Sequence, residues 1–447
     1  MKKLLLSSLI ILLALTCRAQ TSAVDGIKPV GIIKNLTDSA LLDVVQRQTF
    51  RYFWDFGHPV SGLARERSNA SFNYGSEVVT TGGSGFGIMA MIVATERKWI
   101  TRDQADDRMI KILRFLYKAD SFHGVFPHWM NGETGKVIPF GRKDDGADLV
   151  ETSYLMEGLL CARQYYNANN DKEDEIRSRI EGLWNDVEWD WFTRDGRDNL
   201  YWHWSPNNGW AMNFPIRGFN ECMIVYILAE SATRYSVPAS LYFRGWAQSD
   251  FFKNGKTFYG YKLPLGFDYG GPLFFSQYSF MGLDPKGLKD QFADYWEQNT
   301  NHTLINRAYC IDNPKKYKGY GENCWGLSAS DSYDGYSAND PRDGNDPGII
   351  TPSAALSAFP YTPQYSMQAL RHFYYDLGDK IWGEYGFTDA FSESHNWYAK
   401  SYLAIDEGPI VAMIENYRTG LLWKLFMSCP EIKGGLKKLY FQSPYIN

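Results

Sequence analysis

The sequence predicts an all-α, single-domain protein. Three observations carry that reading. Apolar residues recur at helical spacing in about ten segments, no strand–helix alternation runs between them, and no Ser/Gly-rich linker, charge run or fixed-period repeat divides the chain. The first helix is predicted over 39–54, where Leu41, Leu42, Val45, Phe50 and Phe53 follow a Thr37-Asp38-Ser39 cap. Similar spacing predicts helices over 85–98, 102–119, 149–167, 173–187, 219–235, 238–251, 287–307, 363–377 and 409–427. Between them run long aromatic loops rich in Gly, Asn and Pro, notably 199–215, 258–272 and 319–363, and loops this long usually carry function. Paired helices of this kind fit a bundle, a solenoid or a closed ring, and periodicity does not choose among them.

At the N-terminus, Lys2 and Lys3 precede an apolar run over 4–15, with small residues Cys17 and Ala19 behind it. This pattern reads as a secretory signal peptide over 1–19, leaving 20–447 as one domain that is exported to the periplasm or secreted. Lipid attachment at Cys17 is the competing outcome, although Thr16 is a poor match to a lipoprotein signal. No later stretch approaches the ~20 apolar residues of a membrane span. With 46 Lys+Arg against 51 Asp+Glu, the chain lacks the positive excess that a nucleic-acid backbone demands.

Cysteine spacing excludes a disulfide framework. Cys161, Cys222, Cys310, Cys324 and Cys429 are scattered, Cys310–Cys324 being the pair best placed to close a loop. With no Cys-x-x-Cys or His-Glu-x-x-His, neither a metal nor another cofactor is expected. Asp331, Asp334, Asp340, Asp343 and Asp346 make a calcium loop conceivable, solvated turns being the favoured reading. The Gly85-Phe86-Gly87 run imitates a dinucleotide fingerprint but lacks the downstream β/α alternation, so it reads as a tight glycine turn feeding a closely packed helix.

What remains is acid set among rings. Aromatic residues make up 16% of the chain, with 15 Trp and 30 Tyr, and their flat apolar faces with polar tips suit sugar binding. Asp144, Asp148 and Glu151 fall at i, i+4, i+7, which would line three carboxylates along a helix face. Crowding raises one another's proton affinity, so one stays acidic while another is a base; a capping box over Asp148-x-x-Glu151 is the plain alternative. A second cluster runs from Trp202, Trp204 and Trp210 through Arg217 to Asn220 and Glu221 at a helix entrance, where Asn220 also suits a cap. The third is Asp406-Glu407 just before Pro409, again either a cap or a site.

Taken jointly, four segments resemble a known family. Glu77-Val78-Val79-Thr80-Thr81-Gly82-Gly83-Ser84-Gly85-Phe86-Gly87, the Asp145–Ser153 run, Phe219-Asn220-Glu221 and Asp406-Glu407-Gly408-Pro409-Ile410 are similar to the glycoamylase-like domain, and more narrowly to glycoside hydrolase family 144, the bacterial β-1,2-glucanases. The resemblance extends from about residue 39 to 423. It implies an (α/α)6 barrel with long aromatic loops over a central cleft that cleaves β-1,2-glucan, internally or by releasing sophorose, with inversion. Carried onto this chain, it implies acidic cleft positions at Asp144, Asp148, Glu151, Glu221 and Asp406; Glu407 stands where Gln is often expected. Inversion needs a proton donor and a carboxylate that activates water. The expectation is Glu221 as acid and Asp406 as base, with Asp148, Glu151 and Asp144 next, and Trp202, Trp204, Trp210, Arg217, Asn220 and Glu407 as substrate contacts. Non-catalytic glycan binding in the cell envelope is the alternative, and a polysaccharide lyase, which would need basic groups to neutralise an uronate, is a weaker one. Oligomeric state is not legible.

Overall fold

The computed structural model describes residues 31–68 and 77–446; the signal-peptide expectation and Cys17 fall outside that range. Helices pair outer then inner along the chain. Outer α1 (Asp38–Trp54) leads to inner α2 (Thr81–Glu96), α3 (Arg102–Leu116) to α4 (Leu149–Tyr165), and α5 (Asp171–Asp186) to α6 (Met223–Ser231). A π-helical turn, Tyr242–Trp246, then precedes the inner 3₁₀ turns Leu273–Ser276 and Tyr278–Phe280. Outer α7 (Tyr295–Asp312) leads to inner α8 (Pro352–Leu356), and α9 (Pro363–Arg371) with the short α10 (Gly378–Ile381) to inner α11 (Ala404–Arg418). Finally α12 (Leu421–Ser428) packs on α4 and α13 (Pro430–Lys438) on α6.

The inner ring closes on itself. α2 packs on α4 and α11, α4 on α6, α6 on the 3₁₀ turns, and α8 on α11, while Gln277 Nε2 donates to the Ala354 carbonyl at 2.8 Å to join the turns to α8. This is the (α/α)6 toroid. Its two layers are written in the side chains. Along α2, α4 and α11 nearly every residue is buried, as a helix surrounded by others requires, whereas α3 and α5 bury one apolar face and turn charges outward. Thr37 caps α1 by accepting from the Ala40 amide at 3.3 Å, and Thr101 with Gln104 forms a reciprocal capping box on α3.

The glycine run sits inside α2 and is not the tight turn expected before it, because the helix already starts at Thr81. A Cβ on Gly85 would lie 2.2 Å from the Tyr154 carbonyl oxygen, and one on Gly158 would lie 2.3 Å from that of Gly85. Only glycine permits this approach of α2 and α4, which accounts for the run without a dinucleotide.

Boundaries moved where turn chemistry overrode periodicity. The 219–235 helix begins only at Met223, and 287–307 begins at Tyr295, where Asp294 accepts from the Trp296 and Glu297 amides. The segment 238–251 is mostly turns around one π-helical stretch. The 409–427 helix starts upstream at Ala404 and breaks at Gly420 (φ 68°), so Pro409 lies within it, not in its first turn. All five described cysteines are buried free thiols, including Cys310 and Cys324, so the loop closure suggested by their spacing is not formed. Asp331, Asp340 and Asp346 are buried and bonded to protein donors instead of lying in solvated turns; Asp334 and Asp343 are exposed. No described helix is long and apolar enough to cross a membrane.

Candidate active site

One end of the ring opens into a cavity of about 240 Å³. Glu151 and Glu221 reach it from the starts of inner helices, Tyr278 comes from the 3₁₀ turns, and Trp129, Phe140 and Trp202 supply ring faces. Tyr336, 49% exposed, lines it from the Ala329–Ser332/Gly335–Ala338 hairpin. Inner helices enter the ring at one end, and this common end gathers residues far apart in sequence.

Asp148 caps α4: its Oδ1 accepts from the Val150 and Glu151 amides at 3.0 and 2.9 Å. Its other oxygen meets His128 Nδ1 at 2.9 Å and lies 3.6 Å from His203 Nε2, which is 3.2 Å from Asp144. With both oxygens engaged, Asp148 holds its neighbours in place. Burial opposes its ionisation, but the two histidines hold its carboxyl below the ordinary range. Burial likewise opposes charge on His128, yet Glu151, Asp148 and Asp144 push it up to about 9. The helical face expected for 144, 148 and 151 does not exist, because α4 begins at Leu149; the three acids converge through two histidines instead. Nor do Asp148 and Glu151 form a full capping box, since Glu151 Oε2 accepts from the Gly82 amide at 2.8 Å.

Gly82 makes that seat possible. A Cβ there would stand 2.6 Å from Glu151 Oε2, the movable end of a side chain. Gly82→Ala is therefore expected to leave the fold intact and displace Glu151, lowering kcat by up to about 10²-fold, the scale of a 1 Å misplacement. Circular dichroism and steady-state rates on one preparation separate the two effects.

Glu221 lies just before α6, its own carbonyl accepting from the Tyr154 and Ser279 hydroxyls. Its Oε2 is buried without a hydrogen-bond partner among the described residues. Burial raises the carboxyl to about 7, and the charge of Glu151 adds to the shift. Behind Leu403 and Ile405 of the cavity wall, Asp406 is 3% exposed; its Oδ1 accepts from Ser353 Oγ at 3.0 Å, and its carboxyl shares a side-chain hydrogen bond with Asp389. Asp389 adjoins it, and burial together with the Asp406 and Asp331 charges drives Asp389 well above the carboxylate range. Burial, reinforced by the charges of Asp406 and Glu151 among others, also holds the Tyr278 phenol high, so Tyr278 lies within the field of both acidic walls.

Several expected contacts lie elsewhere. Successive helix residues point ~100° apart, so Glu407 turns away from Ser353 and is buried, and burial, reinforced by the Asp406 charge, drives its carboxyl well above the ordinary range. Asn220 spends its oxygen on the Cys222 amide at 3.0 Å, and Arg217 is at the surface, 3.8 Å from Asp250. Trp204 packs on Phe122, His123 and Trp191, and Trp210 lines a separate surface pocket. Trp202 alone of the named tryptophans lines the cavity.

Sequence reasoning missed His128, His203, Asp389 and the Glu66–Arg67–Asp331 chain, in which Arg67 Nε donates to Glu66 at 2.7 Å and Nη1 to Asp331 at 2.9 Å. The signal available was local: Phe126-Pro127-His128-Trp129 sets a histidine among rings. His128, Asp144 and Asp148 are close enough to hold a cation, but the hydrogen bond between His128 and Asp148 already pairs the charges there.

Comparison with known proteins follows the same lines. A Glycoamylase family model, described as glucoamylase, matches residues 213–430, and a protein family of unknown function, DUF3131, matches 45–167. The chain is 46% identical over 424 residues to the exo β-1,2-glucooligosaccharide sophorohydrolase (non-reducing end) of Parabacteroides distasonis, a match covering 90% of this chain and 58% of that protein. It thus spans under two thirds of that curated relative. The solved endo-β-1,2-glucanase of Chitinophaga pinensis, complexed with sophorotriose and glucose, is 57% identical at a TM-score of 0.89, over 92% of this chain and 100% of that one. A β-1,2-glucanase structure from Parabacteroides distasonis is 46% identical at a TM-score of 0.88, over 91% of this chain and 60% of that one.

Proposed function

We propose that this chain, which belongs with the glycoamylase-like β-1,2-glucanases of glycoside hydrolase family 144, hydrolyses β-1,2-glucan by inverting acid–base catalysis. The observation that carries the reading is Glu221: a carboxyl in a ring-lined cavity, with one oxygen unpartnered among the described residues and a proton held to about 7. Such a group is poised to protonate a glycosidic oxygen, and a mere binder has no need of it.

In this mechanism Trp202 and the neighbouring rings seat a glucosyl unit against the wall. Glu221 delivers its proton to the leaving oxygen as the glycosidic bond breaks. Asp406, behind Leu403 and Ile405, takes a proton from water, whose oxygen forms the new bond to the anomeric carbon on the face away from the leaving group. Glu151 and the His128–Asp148 pair hold the charge of the first wall fixed while this happens, so little reorganisation accompanies bond breaking. The substrate is a β-linked glucan or gluco-oligosaccharide. Export to the periplasm or beyond suits a polymer substrate and rests on residues 1–19 alone.

Incubation with β-1,2-, β-1,3-, β-1,4- and β-1,6-glucans, followed by product sizing and NMR of the anomers, tests the proposal. The expected result is cleavage of the β-1,2 polymer with release of α-anomers. Mixed product lengths indicate internal cleavage, and sophorose alone indicates cleavage from a chain end. Turnover of another linkage in preference, or β-anomers as first product, sinks it.

A further inference from the structure

We infer that the surface pocket framed by Trp191, Trp210 and Tyr235 is a second glucan-binding site, separate from the cleavage cavity. The pocket, about 460 Å³, is edged by Glu188, Asp190 and Arg194. It combines the two kinds of group that a sugar ring asks for, flat apolar faces for its C–H side and charged hydrogen-bonding groups for its hydroxyls.

Trp191 is prepared for such a contact. One side of its ring stacks on His123 at 3.8 Å between centroids and 14° between planes, yet the residue remains 40% exposed. His123 is itself held by Glu188, its Nδ1 lying 2.8 Å from the carboxylate. The indole is therefore clamped from behind, and little side-chain entropy is left to lose on binding. Trp210 sits 6.4 Å from it at 32°, completing a shallow aromatic corner, and Tyr235 adds a ring that is 38% exposed.

The backbone around the pocket is strained as well. His123, Arg194, Asp195 and Tyr235 all have positive φ, at 56°, 52°, 66° and 54°, without being glycine. Left-handed non-glycine residues are uncommon, and strain of this kind concentrates at ligand sites. Here the Tyr235 carbonyl is held by the Asp190 amide at 3.1 Å, so the turn that presents the ring is tied to the strand of chain that presents Trp191.

The ligand class follows from position and so rests on the proposed function. The 199–215 loop supplies Trp202 to the cavity and Trp210 to this pocket, while Trp204 between them touches Trp191. A polymer engaged in the cavity has a neighbouring platform on the same loop, and a glucan chain is the occupant able to use both.

The test titrates long β-1,2-glucan into full-length Glu221→Gln protein while following assigned indole ¹⁵N–¹H signals, with a Glu221→Gln/Trp191→Ala protein beside it. The expected result is movement of the Trp191 and Trp210 signals along with that of Trp202, and polymer affinity about three- to tenfold weaker in the double variant, the scale of one ring contact. Movement of Trp202 with Trp191 and Trp210 silent overturns the second site and leaves the cleft reading intact. Movement of Trp191 and Trp210 alone supports the second site and overturns the cleft reading, and silence at all three overturns both. The indole signals of the single variant decide the matter even if the alanine protein does not fold.

Discussion

Replacing Glu221 with Gln is expected to cut turnover of β-1,2-glucan by about 10²–10⁴-fold while making the protein more resistant to heat above pH 7. The loss follows from removing the proton donor while keeping the shape. The stability gain follows from linkage. Burial, reinforced by Glu151, raises this carboxyl from 4.5 to about 7, so between those pH values the folded chain binds more protons than the unfolded one. Stability from this group is fully present below about pH 4.5 and is lost as pH rises through 7, where an unpartnered buried oxygen must carry charge. The glutamine stays neutral throughout, which relieves a cost of up to about 3 kcal/mol at alkaline pH. Melting curves at pH 5 and pH 8 should show the variant's advantage growing with pH. The wild-type rate should fall above about pH 7 as the donor ionises. A variant that keeps its turnover, or gains nothing in stability between the two pH values, would contradict the assignment.

The outer helices were readable because they meet water on one side. In α3 the pattern Ala105, Met109, Ile112, Leu113, Leu116 marks the buried face, and Thr101 with Gln104 marks its start. Inner helices carry no such contrast: α8 is Pro-Ser-Ala-Ala-Leu, five buried residues whose helicity comes from the ring around them. At the site, helix entrances rich in acid were visible as three separate clusters, because capping and catalysis both place carboxylates there. Asp148 does cap a helix, and its second oxygen also takes part in the site. What no local pattern conveyed was pairing across the ring. Asp389 sits in a short loop before a two-residue strand, 17 residues from Asp406, and acquires meaning only when α11 brings Asp406 beside it. Trp204 and Trp210 misled for the opposite reason, since a run of tryptophans does not say which ring faces the cavity, and these two pack against Phe122, His123 and Trp191 or line a separate pocket.

Asp406→Asn is expected to lower turnover by about 10²–10⁴-fold as well, and its companion Asp389→Asn to behave differently. Arg67, engaged by Glu66 and by Asp331, whose Oδ2 also accepts from Ser401 at 2.5 Å, still lowers Asp406 through its charge, while Asp331 raises it. Asp389 Oδ2 accepts from the Asp331 amide at 2.6 Å, and its carboxyl shares a side-chain hydrogen bond with Asp406. Two adjacent buried carboxyls in this setting keep one proton between them and carry a single negative charge. Asp406, held lower by that hydrogen bond and by Ser353 than burial alone would leave it, is the acceptor for water's proton, and Asp389 tunes how tightly that proton is held. Asp389 holds the shared proton in a hydrogen bond that lowers Asp406, and the asparagine amide is a weaker donor, so the acidic limb of the kcat–pH profile should move to higher pH with much of the maximal rate preserved. Neutralising Asp406 removes the acceptor, and no pH restores the rate. If Asp389→Asn instead abolishes turnover at every pH while Asp406→Asn only shifts the limb, the base is Asp389, and the proton taken from water goes to the other member of the pair.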